Sequence, residues 1–135
     1  TPKRSHGDGL TSLKQNGLST YVYATCLSHL HRKKESEPYF LSFLNSNTSS
    51  DHDYKIRVSI EHTYWELCLY YREAGEKKKY KYHLAKMVEC LNNYQPIAND
   101  ATLKHYIYAA EVYLQFNLVK EYNRMKILAH RAILG

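Results

Sequence analysis

The densest run of chemically capable side chains is Glu76-Lys77-Lys78-Lys79-Tyr80-Lys81-Tyr82-His83, where cations alternate with aromatic rings. Lysines neutralise phosphates or carboxylates, and rings stack on unpaired bases or pack against a peptide. Three consecutive lysines at the start of a helix also sit at the positive end of its dipole, a mild cost that a bound anion would offset. A second basic cluster is His29-Leu30-His31-Arg32-Lys33-Lys34. The residues expected to touch a partner are Lys77, Lys78, Lys79, Lys81 and Tyr82, with Arg32, Lys33 and Lys34 second. The competing reading of both clusters is solvated helix ends, and only packing decides whether they form one surface.

Other chemistry is poorly supported. Cys26-x-x-His29 puts two ligand types on one helix face, but a zinc site needs two more and no second close pair follows. None of the eight histidines sits in a frame such as HExxH. His62, beside Glu61 and four residues before Glu66, reads as a helix-surface or boundary residue. Glu61, Glu66, Glu73 and Glu89 have no common focus, and general acid–base work needs converging groups. The glycines are isolated or lie near the start, so no phosphate loop is present. The sequence assigns no catalytic, metal or cofactor residue, and the chain is read as not an enzyme.

The elements that position the lysines are helical. Ile60, Tyr64, Leu67, Cys68 and Tyr71 recur on one helix face, with Val58, His62, Trp65 and Leu69 beside them. Gly75 supplies a left-handed helix end. Tyr80, Leu84, Met87, Val88 and Leu91 then repeat the spacing, so 56–94 reads as a hairpin. A second hairpin follows Pro96. Its first helix, capped by Asn99 or Asp100, carries Leu103, Ile107, Ala110 and Leu114 on one face, with Tyr106, Ala109 or Ala110, and Tyr113 on a neighbouring face. Asn117-Leu118 forms its turn, and Val119–Leu134 the last helix, using Tyr122, Met125, Ala129, Ala132 and Ile133. Upstream, a helix starts at Ser19, which can cap it, and His31–Lys34 closes it. Ser36-Glu37-Pro38 opens a short second helix. Residues 45–53 form a polar loop, and 1–9 a disordered terminus. The whole reads as an all-α protein of five or six helices. Residues 10–135 make a single domain: N-terminal helices over 10–44, the loop, then two stacked antiparallel hairpins over 54–135.

A chain of 135 residues can bury one core, and 44% hydrophobic with 24% charged content is that of a globular protein. Fourteen tyrosines suit both a helical core and an interface. The net charge of +6 favours acidic partners. No apolar run approaches the ~20 residues of a membrane span, and no secretory signal is visible. The three cysteines read as reduced packing residues of an intracellular protein, nuclear or cytoplasmic. The first residue is Thr1, which suggests a processed end or a domain cut from a longer chain.

Tyr64, Leu67-Cys68, Tyr71 and Gly75 follow the order of large aromatic, leucine, small residue, tyrosine and glycine in the first helix of a tetratricopeptide repeat, which this stretch resembles. The second hairpin offers His105, Tyr108, Ala109, Val112 and Phe116 at corresponding places. Tyr80 and Glu121 stand where the family has a small alanine, and the family's proline is replaced by Asn92. The resemblance covers about half the chain, with units about 41 residues apart instead of the family's 34. It implies a protein-binding scaffold of helical hairpins. The expected function is a non-catalytic interaction module that holds an acidic or amphipathic segment of another protein in a groove between hairpins. Self-association is a variant, suggested by the apolar Ile127–Leu134. The alternative is a nucleic-acid binder using Lys77–His83.

Overall fold

The computed structural model describes residues 17–48, 54–93 and 100–134. They form six helices and, among the described residues, no strand: α1 Leu18–His29, α2 Lys33–Ser46, α3 Tyr54–Ala74, α4 Lys77–Asn92, α5 Asp100–Gln115 and α6 Val119–Leu134. The all-α reading holds. The expected terminus at 1–9, most of the loop at 45–53 and the segment around Pro96 lie outside the described residues. The chain divides into two compact units, Thr1–Val88 and Glu89–Gly135, with the division inside α4.

One turn design recurs three times. At the end of α3, Gly75 adopts a φ of 74°, the Glu76 amide donates to the Tyr71 carbonyl, and the Gly75 amide donates to that of Arg72. This is the Schellman closure. His31 (φ 62°) does the same after α1, where Arg32 reaches Leu27 and His31 reaches Ser28. Asn117 (φ 61°) repeats it after α5, with Leu118 reaching Tyr113 and Asn117 reaching Leu114. In each case the next residue starts the following helix, because the carbonyls of Arg32, Glu76 and Leu118 accept from Ser36, Tyr80 and Tyr122. The left-handed residues are 44 (75 − 31) and 42 (117 − 75) positions apart. The residue whose carbonyl receives the 6→1 bond is buried each time: Leu27, Tyr71 and Tyr113.

In the first unit Ala24, Phe40, Leu67 and Tyr71 form the core, with Tyr21, Leu41, Leu44, Tyr70 and Tyr80 packed around them. Four helices therefore contribute, with Tyr80 bringing in α4. In the second unit α5 buries Ala109, Val112, Tyr113 and Phe116, and α6 buries Met125. The Tyr113 hydroxyl donates to Oδ1 of Asn92 at 2.9 Å, and Arg124 donates to the same oxygen. The His105 ring meets the Leu91 carbonyl at 3.1 Å.

Several sequence expectations are corrected. Helix α1 starts at Leu18, behind a left-handed Gly17 and with no side-chain cap; Ser19 is inside the helix and exposed. Helix α2 opens at Lys33 and carries Pro38 in its interior, because the turn at His31 sets the start five residues before the proline. Lys33 and Lys34 therefore open α2 and do not close α1. In α5 the buried face is the one carrying Ala109 and Tyr113, while Ile107 and Leu114 are half exposed. Ile133 of α6 is also exposed.

Candidate partner-binding surface

The two basic clusters occupy equivalent places. Each follows a left-handed turn residue and fills the first turn of the next helix: Lys33 and Lys34 in α2, Lys77, Lys78 and Lys79 in α4. Helix N-termini carry unsatisfied amides and a positive dipole end. The first turn of α4 has no acidic residue to offset this, and that of α2 has only Glu35.

Glu37 of α2 joins the two clusters. Its Oε2 accepts from the Tyr71 hydroxyl at 2.6 Å, and Nζ of Lys79 lies 3.8 Å from the same oxygen. The Lys79 ammonium also stands 5.7 Å from the centre of the Tyr71 ring. Lys34 shares the helix face of Glu37 at i, i+3. The Lys79–Glu37 ion pair links the second turn of α2 to the first turn of α4 within the first unit.

The predicted residues fare differently there. Lys77, Lys78, Lys81 and Lys34 are exposed, and no ion pair involves them among the described residues. Tyr82 is 59% exposed, with Nζ of Lys86 5.7 Å from its ring centre and the His83 ring edge-on at 5.0 Å. Arg32 is held in a fork by Glu35, at 2.8 and 2.6 Å; that pairing raises the Arg32 pKa and lowers that of Glu35. Lys33 turns inward, with its Nζ 3.5 Å from Oε1 of Glu66 and 3.3 Å from Oγ of Ser28. Of the predicted residues, Lys34, Lys77, Lys78, Lys81 and Tyr82 are thus exposed, while Lys79 is tied to Glu37.

His83 supports the start of α4 from below. It is buried, its ring lies 5.1 Å from Tyr71 and 6.0 Å from Tyr64, and its Nδ1 is 2.8 Å from the Lys79 carbonyl. Burial lowers its pKa, which keeps it neutral near pH 7.

Sequence reasoning did not find a second group of polar residues. Glu66 is buried, and its Oε1 accepts from the Ser28 hydroxyl at 2.9 Å. Its Oε2 lies 3.4 Å from Nε2 of His62, whose Nδ1 is 2.7 Å from the Tyr21 hydroxyl. The His62 ring stacks on Trp65 at 5.4 Å. Glu66 is thus inside, while His62, its side chain 28% exposed, lies at the boundary as expected. The i, i+4 spacing of His62 and Glu66 on an otherwise apolar face was the signal available. Burial lowers the His62 pKa, opposed by the Glu66 charge, and raises that of Tyr21. The Ser28 hydroxyl donates to the carboxylate, and the Tyr21 hydroxyl meets the imidazole. The group acts as a clamp between α1, α2 and α3.

Burial pushes the Cys68 thiol up to about 12, far from a thiolate. Among the described residues no three His, Cys, Asp or Glu side chains converge as metal ligands, and no helix is long and apolar enough to cross a membrane. No family model matches this chain, and neither does any curated protein or solved structure.

Proposed function

We propose that the chain is a non-catalytic protein-interaction module whose basic, tyrosine-bearing surface holds an acidic or amphipathic segment of a partner. The observation that supports this reading is the Glu37 junction, which ties the second turn of α2 to the first turn of α4. Lys34, Lys77, Lys78 and Lys81 then offer cations to one ligand, and Tyr82 offers a ring with an exposed face. The two helix N-termini add positive potential. The recurrence of one turn at His31, Gly75 and Asn117 supports a helical-hairpin repeat architecture, as in tetratricopeptide proteins, although the spacing is longer than theirs.

The test is fluorescence anisotropy with a labelled acidic amphipathic peptide and, in parallel, labelled single-stranded and duplex oligonucleotides at two ionic strengths. The module predicts peptide binding that persists at near-physiological salt and weakens about tenfold or more when Lys77, Lys78 and Lys81 are changed to Glu. Oligonucleotide binding that falls steeply with salt and vanishes in that variant would instead support the nucleic-acid reading. Binding of neither probe at low salt would reject both.

A further inference from the structure

Helix α1 is apolar on two opposite sides. One side, with Tyr21, Ala24 and Leu27, faces the core of the first unit. The other carries Val22, Tyr23, Cys26 and Leu30 and faces solvent: Val22 is 55% exposed, Tyr23 50% and Leu30 63%. The exposed Tyr39 of α2 extends it, its ring edge-on to Tyr23 at 4.8 Å. A helix apolar all round is normally enclosed. With the hairpins aligned on their left-handed turn residues, Tyr23 corresponds to Leu67 and Ala109, both buried. The position is therefore covered in the other two hairpins and open in this one.

Charge indicates what can cover it. Of the six helices, only α1 contains no Lys, Arg, Asp or Glu. It brings no cation of its own, and Arg32, within electrostatic reach of Tyr23, is already paired with Glu35, so the face is not an extension of the basic surface. In a chain of net charge +6, two copies repel each other over most of their area, and a charge-free face is where that opposition is least. Helix α6 is the contrasting case. Ile127, Ile133 and Leu134 are exposed there too, but Lys126, His130 and Arg131 lie among them, and self-pairing would set cation against cation. Tyr23, Cys26 and Leu30 follow the three-then-four spacing of a helix–helix seam.

We propose that α1 pairs with α1 of a second copy of this chain, across a two-fold axis. The stripe Val22, Tyr23, Cys26 and Leu30 meets itself, as an isologous contact requires. Tyr39 flanks the contact, and Cys26, in the middle of the stripe, lies near the axis. The face is small, at the low end of specific interfaces, below about 1,200 Å² in total. The dimer is accordingly reversible and forms in the micromolar range.

Sedimentation velocity of the full chain, from micromolar concentrations towards millimolar, tests this. The expected result is a concentration-dependent monomer–dimer equilibrium, weakened about tenfold or more by Val22→Glu and by Leu30→Glu separately. Both variants should keep the wild-type melting temperature, since neither side chain lies in the core. A short bis-maleimide should link wild-type chains into dimers, and Cys26→Ala should lose most of that product. Wild type that stays monomeric at the highest concentration overturns the proposal. So does a dimer that survives both Glu variants, or a monomeric wild type whose melting temperature drops in Val22→Glu, because the face is then covered within one molecule.

Discussion

The Tyr71 hydroxyl and the Glu37 carboxylate are 2.6 Å apart, and the phenol is the donor. Burial and the neighbouring negative charge both raise the Tyr71 pKa, so the phenol keeps its proton. Glu37 thereby holds α3 through Tyr71 and α4 through Lys79. Tyr71→Phe removes one charge-assisted bond and leaves the ring in place. The expected cost is about 1–2 kcal/mol, seen as a lower denaturant midpoint at unchanged slope. An unchanged midpoint would mean that the hydroxyl contributes nothing to the junction.

Glu66 is the only acceptor in the clamp that reaches both Ser28 and His62. Glu66→Ala leaves these groups and Lys33 without it, at an expected cost of about 2–4 kcal/mol. Lys33→Met should cost under about 1 kcal/mol, because the lysine is partly exposed and 3.5 Å away. Thermal melts of the two variants, compared side by side, check the ordering; equal losses would contradict it.

Glu61 is buried, with no hydrogen bond or ion pair found for it among the described residues, and burial pushes its pKa from 4.5 to about 7. The sign follows from which state ionises first. Below about pH 4.5 the carboxyl is protonated in both states; as pH rises towards 7 the unfolded chain ionises ahead of the folded one. Folding loses stability across that window, by up to about 3 kcal/mol once both states are ionised. His62 and His83 act oppositely: with lowered pKa values they withdraw stability as pH falls below about 6.5. The difference between Glu61→Gln and wild type isolates the carboxyl. That difference should favour the variant increasingly from about pH 5 to about pH 8, and a flat difference would show that Glu61 ionises normally in the fold.

Gly17 and Gly75 share a φ of 74° but not surroundings. A Cβ on Gly75 meets nothing within 4 Å, whereas one on Gly17 comes 2.9 Å from Nδ2 of Asn47 and 3.1 Å from Phe43. Asn47 cannot swing away freely, because its amide donates to the Phe43 carbonyl at 2.8 Å. Gly75→Ala should cost about 1 kcal/mol for the left-handed backbone alone. Gly17→Ala should cost at least about 2 kcal/mol, the same backbone term with overpacking added. Equal urea midpoints for the two would refute the steric difference.

The helices were readable because their signals are local. Gly75 and Asn117-Leu118 mark turns in the sequence, and the bounds of α6 follow from its periodicity. The His31 turn was missed because histidine is a weaker left-handed signal than the glycine or asparagine that usually ends a helix; the closure at Leu27 holds it there. The start of α2 was misplaced for the same reason, since Pro38 is the louder local signal and the turn overrules it. The basic residues were legible as types, but their fates were not. Lys33 differs from Lys34 only in which way it turns on α2, and Glu66, the group that draws it inward, is thirty-three residues away. Contacts at that separation leave no trace in a local pattern.

The repeated turns of two or three residues bear on how the chain reaches this structure. Closing a helix pair over so short a connection costs little loop entropy, so each hairpin can form early from neighbouring residues. The ties between hairpin α1–α2 and helix α3 are of another kind: Ser28 to Glu66 spans 38 positions and Tyr21 to His62 spans 41. These bonds close after the helices exist. Mutations in the clamp should therefore accelerate unfolding while leaving the folding rate nearly unchanged, whereas mutations at the turns should slow folding itself.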